Sequence, residues 1–361
     1  MNWKKKVRVF RNNTKALSYY RRKRVILPGL PSYIWIEPTN YCNLNCIMCP
    51  NGAGKVHVKR GYMELELFKK IIDEIHPHTS TVVLALSGES LLHPDLFDMI
   101  HYTEEHQVKV LLNTNATLID REKAIRLLES GISYISFAFD GYTKSMYEKA
   151  RKGADFEETL ENILVFLRLK KEKKLKKPYA VLSILNLNIE DSQNKKKEEF
   201  LKKFDTLIDD IHLREVNSWG NVFKETLDFT FTKFTGKGTP CGRLWNTIGI
   251  AWDGEVVPCT YNMNHDYPLG NIQDMPMEKI WNSPRLVQLR QAMIDGNYLE
   301  CSPLCENCTI VGTPKILGVP TGLRITLSDS LENFFGYGFQ KKAIKLASRL
   351  RKDKFAFRQV K

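Results

Sequence analysis

The sequence lacks an apolar run long enough to cross a bilayer. Its longest apolar runs, residues 82–86 and 132–139, are far shorter than the roughly 18 residues that a membrane-spanning helix needs. Its first residues also lack the apolar core of a secretory signal peptide. We therefore expect a cytoplasmic protein. The 361 residues, 43% of them hydrophobic, allow one large domain with a smaller appendage.

Acidic residues are missing from the first 36 positions, which hold ten Lys or Arg. Residues 340–361 hold nine Lys or Arg and a single acid, Asp353. Because the net charge is +13, the central body of the chain is mildly acidic. Basic ends of this kind fit peripheral contact with an anionic membrane, and a solvated terminal helix is the alternative for 340–361. Nucleic acid is not expected as a partner, since the sequence contains no recognised nucleic-acid module.

Cysteine is absent between residues 50 and 240, so all eight cysteines fall into two groups. The first group holds Cys42, Cys46 and Cys49, and the second holds five cysteines between residues 241 and 308. In a reducing compartment, cysteines at such short gaps favour metal ligation over disulfides.

Short β-rich runs alternate with longer helical stretches between residues 33 and 216. The predicted strands are 33–37, 81–86, 108–113, 134–139, 179–185 and 211–216. The predicted helices are 65–75, 93–106, 120–130, 156–174 and 195–205. Asp120 is expected to cap the third of them, and Gly131 to end it in a left-handed conformation. Six strands with intervening helices predict an α/β fold with a partial (β/α)6 TIM-like barrel, smaller than a closed eight-stranded one.

The alternation stops after residue 218, and the chain from residue 241 onward is richer in Gly, Pro, Trp and Cys. Residues 246–257 predict a β-hairpin that turns at Asp253-Gly254. The predicted parts of the chain are a basic N-terminal segment (1–32), a core barrel (33–220), a cysteine-rich module (241–310) and a basic C-terminal tail (311–361). The module is too small to rely on an apolar core alone, so we expect a metal cluster to stabilise it.

The first three cysteines form an incomplete ligand set. A structural zinc site needs four closed ligands, and a cluster held wholly by cysteine also needs four. In a 4Fe-4S cluster held by Cys42, Cys46 and Cys49, one iron is left to bind a small chelating molecule. The Cys-x3-Cys-x2-Cys spacing lets one short loop reach three corners of such a cluster.

Four segments at the ends of predicted strands add to this loop. They read Ser-Gly-Glu-Ser, Asn-Thr-Asn-Ala-Thr, Ser-Phe-Ala-Phe-Asp-Gly and Tyr-Glu-Lys-Ala-Arg-Lys-Gly, at residues 87–90, 113–117, 136–141 and 147–153. With the loop, they resemble the motifs of radical S-adenosylmethionine (radical SAM) enzymes over about residues 33 to 310. The resemblance implies that the free iron binds SAM and that reductive cleavage gives a 5′-deoxyadenosyl radical, which abstracts hydrogen from a substrate. It also implies an electron donor such as flavodoxin or ferredoxin.

The resemblance assigns cofactor-binding roles to five residues. Gly88 lets the backbone come close to the ligand, and Glu89 offers a negative partner for the SAM ammonium. Arg151 offers a fork of donors for the SAM carboxylate, and Asn115 and Ser136 can hydrogen-bond the ribose hydroxyls.

Asp140 has two interpretations, which the sequence leaves equally open. It can orient the site or act as a catalytic base, or it can serve only its own Asp-Gly turn. Two positions depart from the family pattern. Met48 stands where many relatives have an aromatic residue, and Ser90 replaces a proline. Both departures leave the details of the SAM contacts open.

The later cysteines resemble the SPASM/twitch extension of radical SAM enzymes. The resemblance implies one auxiliary 4Fe-4S cluster, as in the single-cluster twitch form, with the ligands Cys241, Cys259, Cys305 and Cys308. A zinc ribbon is the alternative, because four such cysteines can also hold a tetrahedral zinc. Cys301 is one more than a single cluster needs. It is either an inert buried thiol, a substitute ligand or a catalytic hydrogen donor to a substrate radical.

The substrate is not written in the cofactor motifs, because substrate contacts come from variable loops. We favour oxidation or epimerisation of a sugar or cyclitol, including a lipid-linked sugar. Maturation of a ribosomal peptide is the second hypothesis, so the expected partner is a small molecule or a peptide. A non-catalytic iron-sulfur or zinc scaffold explains the cysteines but not residues 88–89, 113–117 or 151 at the strand ends.

Overall fold

The computed structural model describes residues 1–187, 194–216, 219, 222–223, 240–306, 308, 310–311, 319 and 321–339. Its strands are β1 (Tyr33–Ile36), β2 (Asn45–Cys46), β3 (Thr81–Leu84), β4 (Lys109–Thr114), β5 (Tyr134–Ala138), β6 (Arg151–Lys152), β7 (Tyr179–Asn186), β8 (Asp210–Glu215), β9 (Thr247–Ile250), β10 (Glu255–Val257) and β11 (Gly270–Asn271). Its helices are α1 (Trp3–Arg21), α2 (Leu65–Ile75), α3 (Leu96–Glu105), α4 (Arg121–Glu129), α5 (Lys144–Ala150), α6 (Phe156–Glu172), α7 (Asn194–Lys202), α8 (Met277–Trp281), α9 (Pro284–Asp295), α10 (Tyr298–Cys301) and α11 (Thr321–Phe335).

The main sheet has the strand order β11-β10-β9-β1-β3-β4-β5-β7-β8. The six strands predicted from the sequence are β1, β3, β4, β5, β7 and β8, and each neighbouring pair among them is parallel. The helices predicted between them are α2, α3, α4, α6 and α7, within a few residues of the predicted bounds. The α/β fold with a six-stranded parallel unit is therefore confirmed.

The hairpin predicted at Asp253-Gly254 is confirmed as well. Strand β10 pairs antiparallel with β9, and Gly254 has a φ of +83°, in the left-handed region that favours glycine. The sequence did not predict that β9 also pairs in parallel with β1, with Tyr33 opposite Thr247. This pairing makes the sheet continuous from the barrel into the cysteine-rich module.

Helices cover the outer face of the sheet through regularly spaced apolar side chains. Helix α2 shows the pattern most clearly, because it buries one stripe at helical spacing: Phe68, Ile71, Ile72 and Ile75. Helix α4 begins as predicted, since the Asp120 carboxylate accepts a hydrogen bond from the Lys123 backbone N–H at 2.7 Å. Gly131, just beyond its end, has a φ of +88°, as expected for a left-handed helix stop.

The sequence did not predict the two helices at the N-terminal ends of the barrel strands. Helix α1 packs against α11, although α1 ends at Arg21 and α11 begins only at Thr321. Helix α11 buries polar residues, namely Asp329, Ser330 and Asn333, and it leaves Phe335 exposed. Polar contacts therefore set how α11 sits against the barrel.

Asp329 is the centre of these contacts. Its carboxylate accepts hydrogen bonds from the hydroxyls of Ser80 and Thr81, at 2.8 and 3.0 Å, and forms an ion pair with Lys109. Ser80 and Thr81 stand at the start of β3, and Lys109 starts β4. Asp329 thereby ties α11 to the first residues of two neighbouring strands.

Part of the predicted basic tail, residues 340–361, lies outside the described residues. Within the described part of the chain, no helix is both long enough and apolar enough to span a bilayer.

We predict that Asp329→Ala lowers the free energy of unfolding by about 3–5 kcal/mol, because it leaves the Lys109 ammonium poorly solvated and without its carboxylate partner. Urea denaturation of the full chain measures this. The matched control is Glu161→Ala, which breaks the exposed pair with Arg168 and should cost less than about 1 kcal/mol. Equal losses in the two variants would contradict the role given to Asp329.

Candidate functional site

The three-cysteine loop follows β1 and is held by a short antiparallel pairing. Strand β2 pairs with β6, so that Cys46 lies opposite Arg151. The Ile47 backbone N–H also donates to the Ala150 carbonyl at 3.0 Å. Cys46 is buried, and Cys42 and Cys49 are half-buried beside it. The loop is therefore fixed to the segment that carries Arg151, although that segment is far from the loop in sequence.

A second contact fixes the residues just before Cys42. The Glu89 backbone N–H donates to the Tyr41 carbonyl at 2.8 Å. A Cβ atom on Gly88 would come within 2.2 Å of the Thr39 carbonyl oxygen and 2.5 Å of the Tyr41 carbonyl oxygen. Glycine is needed here because two backbone segments touch. Contact of Gly88 with a ligand stays a prediction.

The Glu89 carboxylate lies close to Cys42 and is held by backbone donors. It accepts hydrogen bonds from the N–H groups of Asn115 and Leu91, at 2.7 and 3.2 Å. Burial raises the pKa of Glu89, and the negative charge of Glu89 contributes to the raised pKa of the Cys42 thiol after burial itself. The Thr114 hydroxyl also donates to Glu89, and a carboxylate with three bound donors still keeps a lone pair for a further one.

Asn115 joins the loop after β4 to the cysteine loop. Its side-chain NH2 donates to Asn43 Oδ1 at 2.9 Å, and its Oδ1 accepts from the Thr117 N–H at 3.0 Å. Asn43 also donates to the Thr117 hydroxyl at 2.8 Å. Ser136 is buried on β5, where it lies between Asn113 of β4 and Val181 of β7.

Arg151 and Asp140 form a buried ion pair beside the cysteines. Arg151 donates from one terminal nitrogen to Asp140 Oδ2 at 2.6 Å, and its other terminal nitrogen lies 3.9 Å from Cys46 Sγ. Asp140 Oδ1 accepts from the Leu185 N–H at 2.7 Å. Burial works against the Arg151 charge, but Asp140 and Cys46 outweigh it, so the pKa of Arg151 is raised. Among the described residues, no atom accepts a hydrogen bond from the buried Arg151 Nε.

The chemistry of the three thiols fits an iron-sulfur cluster. Burial raises the pKa of Cys46 to about 11, and burial also raises the pKa values of Cys42 and Cys49. Thiolates in such a place need nearby positive charge, which iron supplies and Arg151 supplements. Three soft donors on one short loop leave room for a further ligand on the metal.

A second pocket collects the four later cysteines that the sequence analysis grouped, and Arg243 and Tyr261 also line it. These cysteines are Cys241, Cys259, Cys305 and Cys308. Burial, followed by the proximity of Cys308, raises the pKa of Cys241 to about 12. Soft donors crowded together in an apolar pocket fit a metal cluster, because cationic metal would relieve the cost of forming thiolates there.

Cys301 does not line this pocket in the described part of the chain. It ends helix α10 and packs, half-buried, against the main hydrophobic core. The three-cysteine loop belongs to a separate small apolar cluster with Leu44, Met48 and Leu187. Cys241 and Cys305 pack against the same main core, so Cys301 lies near the second set of cysteines without lining their pocket. A catalytic role for Cys301 stays a prediction.

Trp219 connects the two cysteine sites, a contact that the sequence did not predict. Its indole N–H donates to the Met48 carbonyl at 2.9 Å, within the three-cysteine loop. Its ring lies 5.1 Å from the ring of Tyr261, which lines the second pocket. The Arg243 guanidinium also lies over the Tyr261 ring, 5.2 Å from the ring centre. A lone tryptophan outside any periodic pattern carries no signal that could have predicted this contact.

Comparison with known families identifies the two domains in which these cysteines lie. Residues 36–210 match the model of the radical SAM superfamily. The chain belongs to the radical SAM superfamily. Residues 241–309 match the SPASM iron-sulfur cluster-binding domain, so this radical SAM enzyme carries a C-terminal SPASM domain. Its cofactors are a 4Fe-4S cluster, SAM and auxiliary iron-sulfur; that the auxiliary set is a single cluster stays a prediction. The zinc ribbon and the non-catalytic scaffold are therefore not supported.

Curated relatives of this radical SAM enzyme are named for cofactor modification, bacteriocin biosynthesis and heme synthesis. It is 26% identical over 321 residues to the tungsten-containing aldehyde ferredoxin oxidoreductase cofactor-modifying protein of Pyrococcus furiosus, covering 77% of this chain and 87% of that protein. It is 25% identical over 326 residues to the subtilosin biosynthesis protein AlbA of Bacillus subtilis, covering 78% and 68%. It is 32% identical over 143 residues to the AdoMet-dependent heme synthase of Methanosarcina barkeri, where the match spans only 40% of the relative.

Solved structures share the fold. The complex of BtrN with AdoMet and 2-DOIA aligns with a TM-score of 0.52 and 19% identity, covering 79% of this chain and 96% of BtrN. Streptococcus suis SuiB bound to the precursor peptide SuiA aligns with a TM-score of 0.59 and 14% identity, covering 82% and 74%. At these identities the likeness establishes the architecture of the radical SAM enzyme.

We predict that Gly88→Ala removes the first cluster and leaves auxiliary iron in place. The new Cβ would clash with the carbonyls of Thr39 and Tyr41 and displace the start of the cysteine loop. Iron content after anaerobic reconstitution should fall by about four atoms per chain, as for loss of one 4Fe-4S cluster.

The matched control for this variant is Gly54→Ala, in the segment that follows the cysteine loop. Gly54 has a φ of +68°, so alanine is strained there, but its Cβ would meet no atom within 4 Å. The control should keep the wild-type iron content. Full iron content in Gly88→Ala would show that the close contact at Gly88 is not needed to hold the start of the cysteine loop.

Proposed function

We propose that the amino-acid end of SAM binds between Glu89 and Arg151, against the three-cysteine loop. When bound, the cluster and SAM supply a radical that abstracts hydrogen from the substrate. The electron for each turnover is proposed to come from a flavodoxin or a ferredoxin. The residues of this chain hold and orient the cofactor, and the remainder of the barrel excludes water from it.

The observation that carries the proposal is the pair of opposite charges on either side of the loop. Glu89 lies next to Cys42, and Arg151 lies 3.9 Å from Cys46 Sγ. An ammonium matches the acid and a carboxylate matches the guanidinium. The Arg151 Nε has no acceptor among the described residues, which leaves a buried donor free for a ligand.

Asp140 is proposed as a positioning residue for Arg151. Both of its oxygens are engaged, one by Arg151 and one by the Leu185 N–H. A carboxylate held in this way fixes the plane of the guanidinium and is poorly placed to take a proton from a substrate. Asn115 and Ser136 are proposed to contact the ribose. Asn115 follows the end of β4 and hydrogen-bonds Asn43 of the cysteine loop, and Ser136 is buried in the middle of the neighbouring strand β5.

We predict that Arg151→Lys weakens SAM binding by about tenfold or more, because an ammonium cannot replace a two-pronged donor. Glu89→Gln should weaken it to a similar extent through loss of the charge. Asp140→Asn should have a smaller effect. Equilibrium dialysis on reconstituted protein of equal iron content measures the SAM affinity. Arg168→Lys, at an exposed arginine paired with Glu161, is the control and should bind SAM normally. Wild-type affinity in Arg151→Lys would refute the assignment.

We propose a sugar or cyclitol, free or lipid-linked, as the substrate, and oxidation or epimerisation as the reaction. The auxiliary cluster would supply a one-electron acceptor in the oxidation. Support comes from BtrN, whose structure contains 2-DOIA beside AdoMet and which this chain matches over 96% of its length.

A ribosomal peptide is the second candidate substrate. AlbA belongs to bacteriocin biosynthesis, and the SuiB structure contains the precursor peptide SuiA. Both matches span about two thirds to three quarters of the relative, so these proteins have parts to which the comparison does not extend.

We predict that the reconstituted enzyme with SAM and dithionite forms 5′-deoxyadenosine, and that a Cys42/Cys46/Cys49 triple-alanine variant forms none. Carbon-deuterated sugars, cyclitols and candidate peptides are then offered separately. Mass spectrometry should find deuterium in 5′-deoxyadenosine only with the correct class. Transfer from a peptide alone would replace the sugar proposal, whereas absence of cleavage in the wild type with SAM bound and every substrate tested would count against both.

A further inference from the structure

Helices α1 and α11 present an aromatic ridge at the N-terminal ends of the barrel strands. The edges of Trp3 and Phe10 pack against Phe334, with ring centres 5.3 and 6.0 Å apart. Trp3 is 69% exposed, and Phe335, on the same helix as Phe334, is 63% exposed. Phe335 stacks on Phe339, with their ring centres 4.5 Å apart. Large aromatic side chains that are grouped together and exposed to water indicate a surface that contacts a membrane or another protein.

The orientation of α11 makes this exposure a property of the fold. Asp329 is buried and holds α11 to β3 and β4, whereas Leu331 and Phe335 face outward. An ordinary amphipathic helix would bury its apolar residues and expose its acid. In the second half of α11 the polar anchor lies inside and Leu331 and Phe335 are left at the surface, although Leu323 at the start of the helix is buried.

A basic stripe runs beside the aromatic ridge. Helix α1 contains seven basic residues and no acidic one. Its exposed cations recur at helical spacing along one face: Lys4, Arg8, Arg11 and Lys15. This face adjoins the face that carries Trp3 and Phe10, because consecutive positions on a helix lie about 100° apart. We call the ridge and the stripe together the α1/α11 face.

The α1/α11 face lies at the end of the barrel opposite the cysteine loop. Lys5 Nζ donates to the His106 carbonyl at 2.6 Å, and Asn12 donates to the Leu30 carbonyl at 3.0 Å. His106 and Leu30 precede β4 and β1, whereas the cysteine loop follows β1. The face is therefore remote from the cofactor site, which makes it unsuited to receive the electron donor or the substrate.

We propose that the α1/α11 face docks the enzyme on an anionic membrane surface. Tryptophan and phenylalanine beside lysine and arginine are the side chains of helices that lie in a lipid interface. Charge repulsion disfavours two other ways of covering the face, namely by a second copy of the chain or by the basic segment 340–361. A second copy would bring the same basic stripe, and residues 340–361 hold nine Lys or Arg and one acid. An anionic lipid surface satisfies both the ridge and the stripe.

Co-sedimentation of the full chain with vesicles tests this. Vesicles of phosphatidylcholine are compared with vesicles of phosphatidylcholine and phosphatidylserine. The wild type should bind only those with phosphatidylserine, and less strongly at high salt. Trp3→Ser with Phe335→Ser should weaken binding about tenfold or more, and so should Lys4→Gln with Arg11→Gln and Lys15→Gln. These side chains are exposed, so unchanged thermal unfolding should accompany both losses.

The matched control removes three charges elsewhere. Lys195, Lys196 and Lys203 are exposed on and beside α7, and their replacement by glutamine should leave vesicle binding unchanged. Failure of the wild type to bind would overturn the proposal, as would equal binding to vesicles without phosphatidylserine. Unchanged binding of both face variants would also overturn it, since any membrane contact would then belong to another segment.

Discussion

The site depends on the short antiparallel pairing that puts Cys46 opposite Arg151. A loop with three cysteines has little structure of its own, and each thiolate that it buries costs free energy unless positive charge is near. The pairing meets both needs, because it fixes the loop and brings a guanidinium within 3.9 Å of a sulfur. Asp140, which is buried with Arg151, offsets the free-energy cost of burying the guanidinium charge. The cofactor site is thus a consequence of where two strand ends meet.

Glu89 is a buried negative charge that, like the positive charge of Arg151, is held in place by fixed hydrogen-bond partners. Its carboxylate is buried beside Cys42, where a second negative charge would be costly, and two backbone N–H groups hold it. Backbone donors cannot rotate away, so the acid is fixed before any ligand arrives. Fixed charges of both signs therefore stand beside the loop, and the proposed SAM site would need little reorganisation when its zwitterionic ligand binds.

The sequence predicted what local signals determine. The six parallel strands, the cap at Asp120 and the turn at Asp253-Gly254 follow from periodicity and turn chemistry, and each is confirmed. Helix α11 and the pairing of β9 with β1 were missed because they depend on contacts between distant parts of the chain. The grouping of cysteines could be predicted from spacing, whereas the Trp219–Tyr261 contact joins residues with no shared pattern. Side-chain partners such as Asp140 for Arg151 need the fold itself.

The two ends of the barrel answer to different constraints. At the carboxyl ends of the strands, loops carry thiols and charges, and their positions are set by the cofactor that they must hold. At the other end no cofactor imposes geometry, yet α11 still buries Asp329 and leaves Phe335 in water. Selection for stability alone would favour the reverse arrangement, because burying an acid costs free energy and burying a phenylalanine gains it. Leu323 of the same helix is fully buried, so the inversion is confined to the second half of α11. There the proposed lipid contact of Phe335 explains it better than the needs of the barrel.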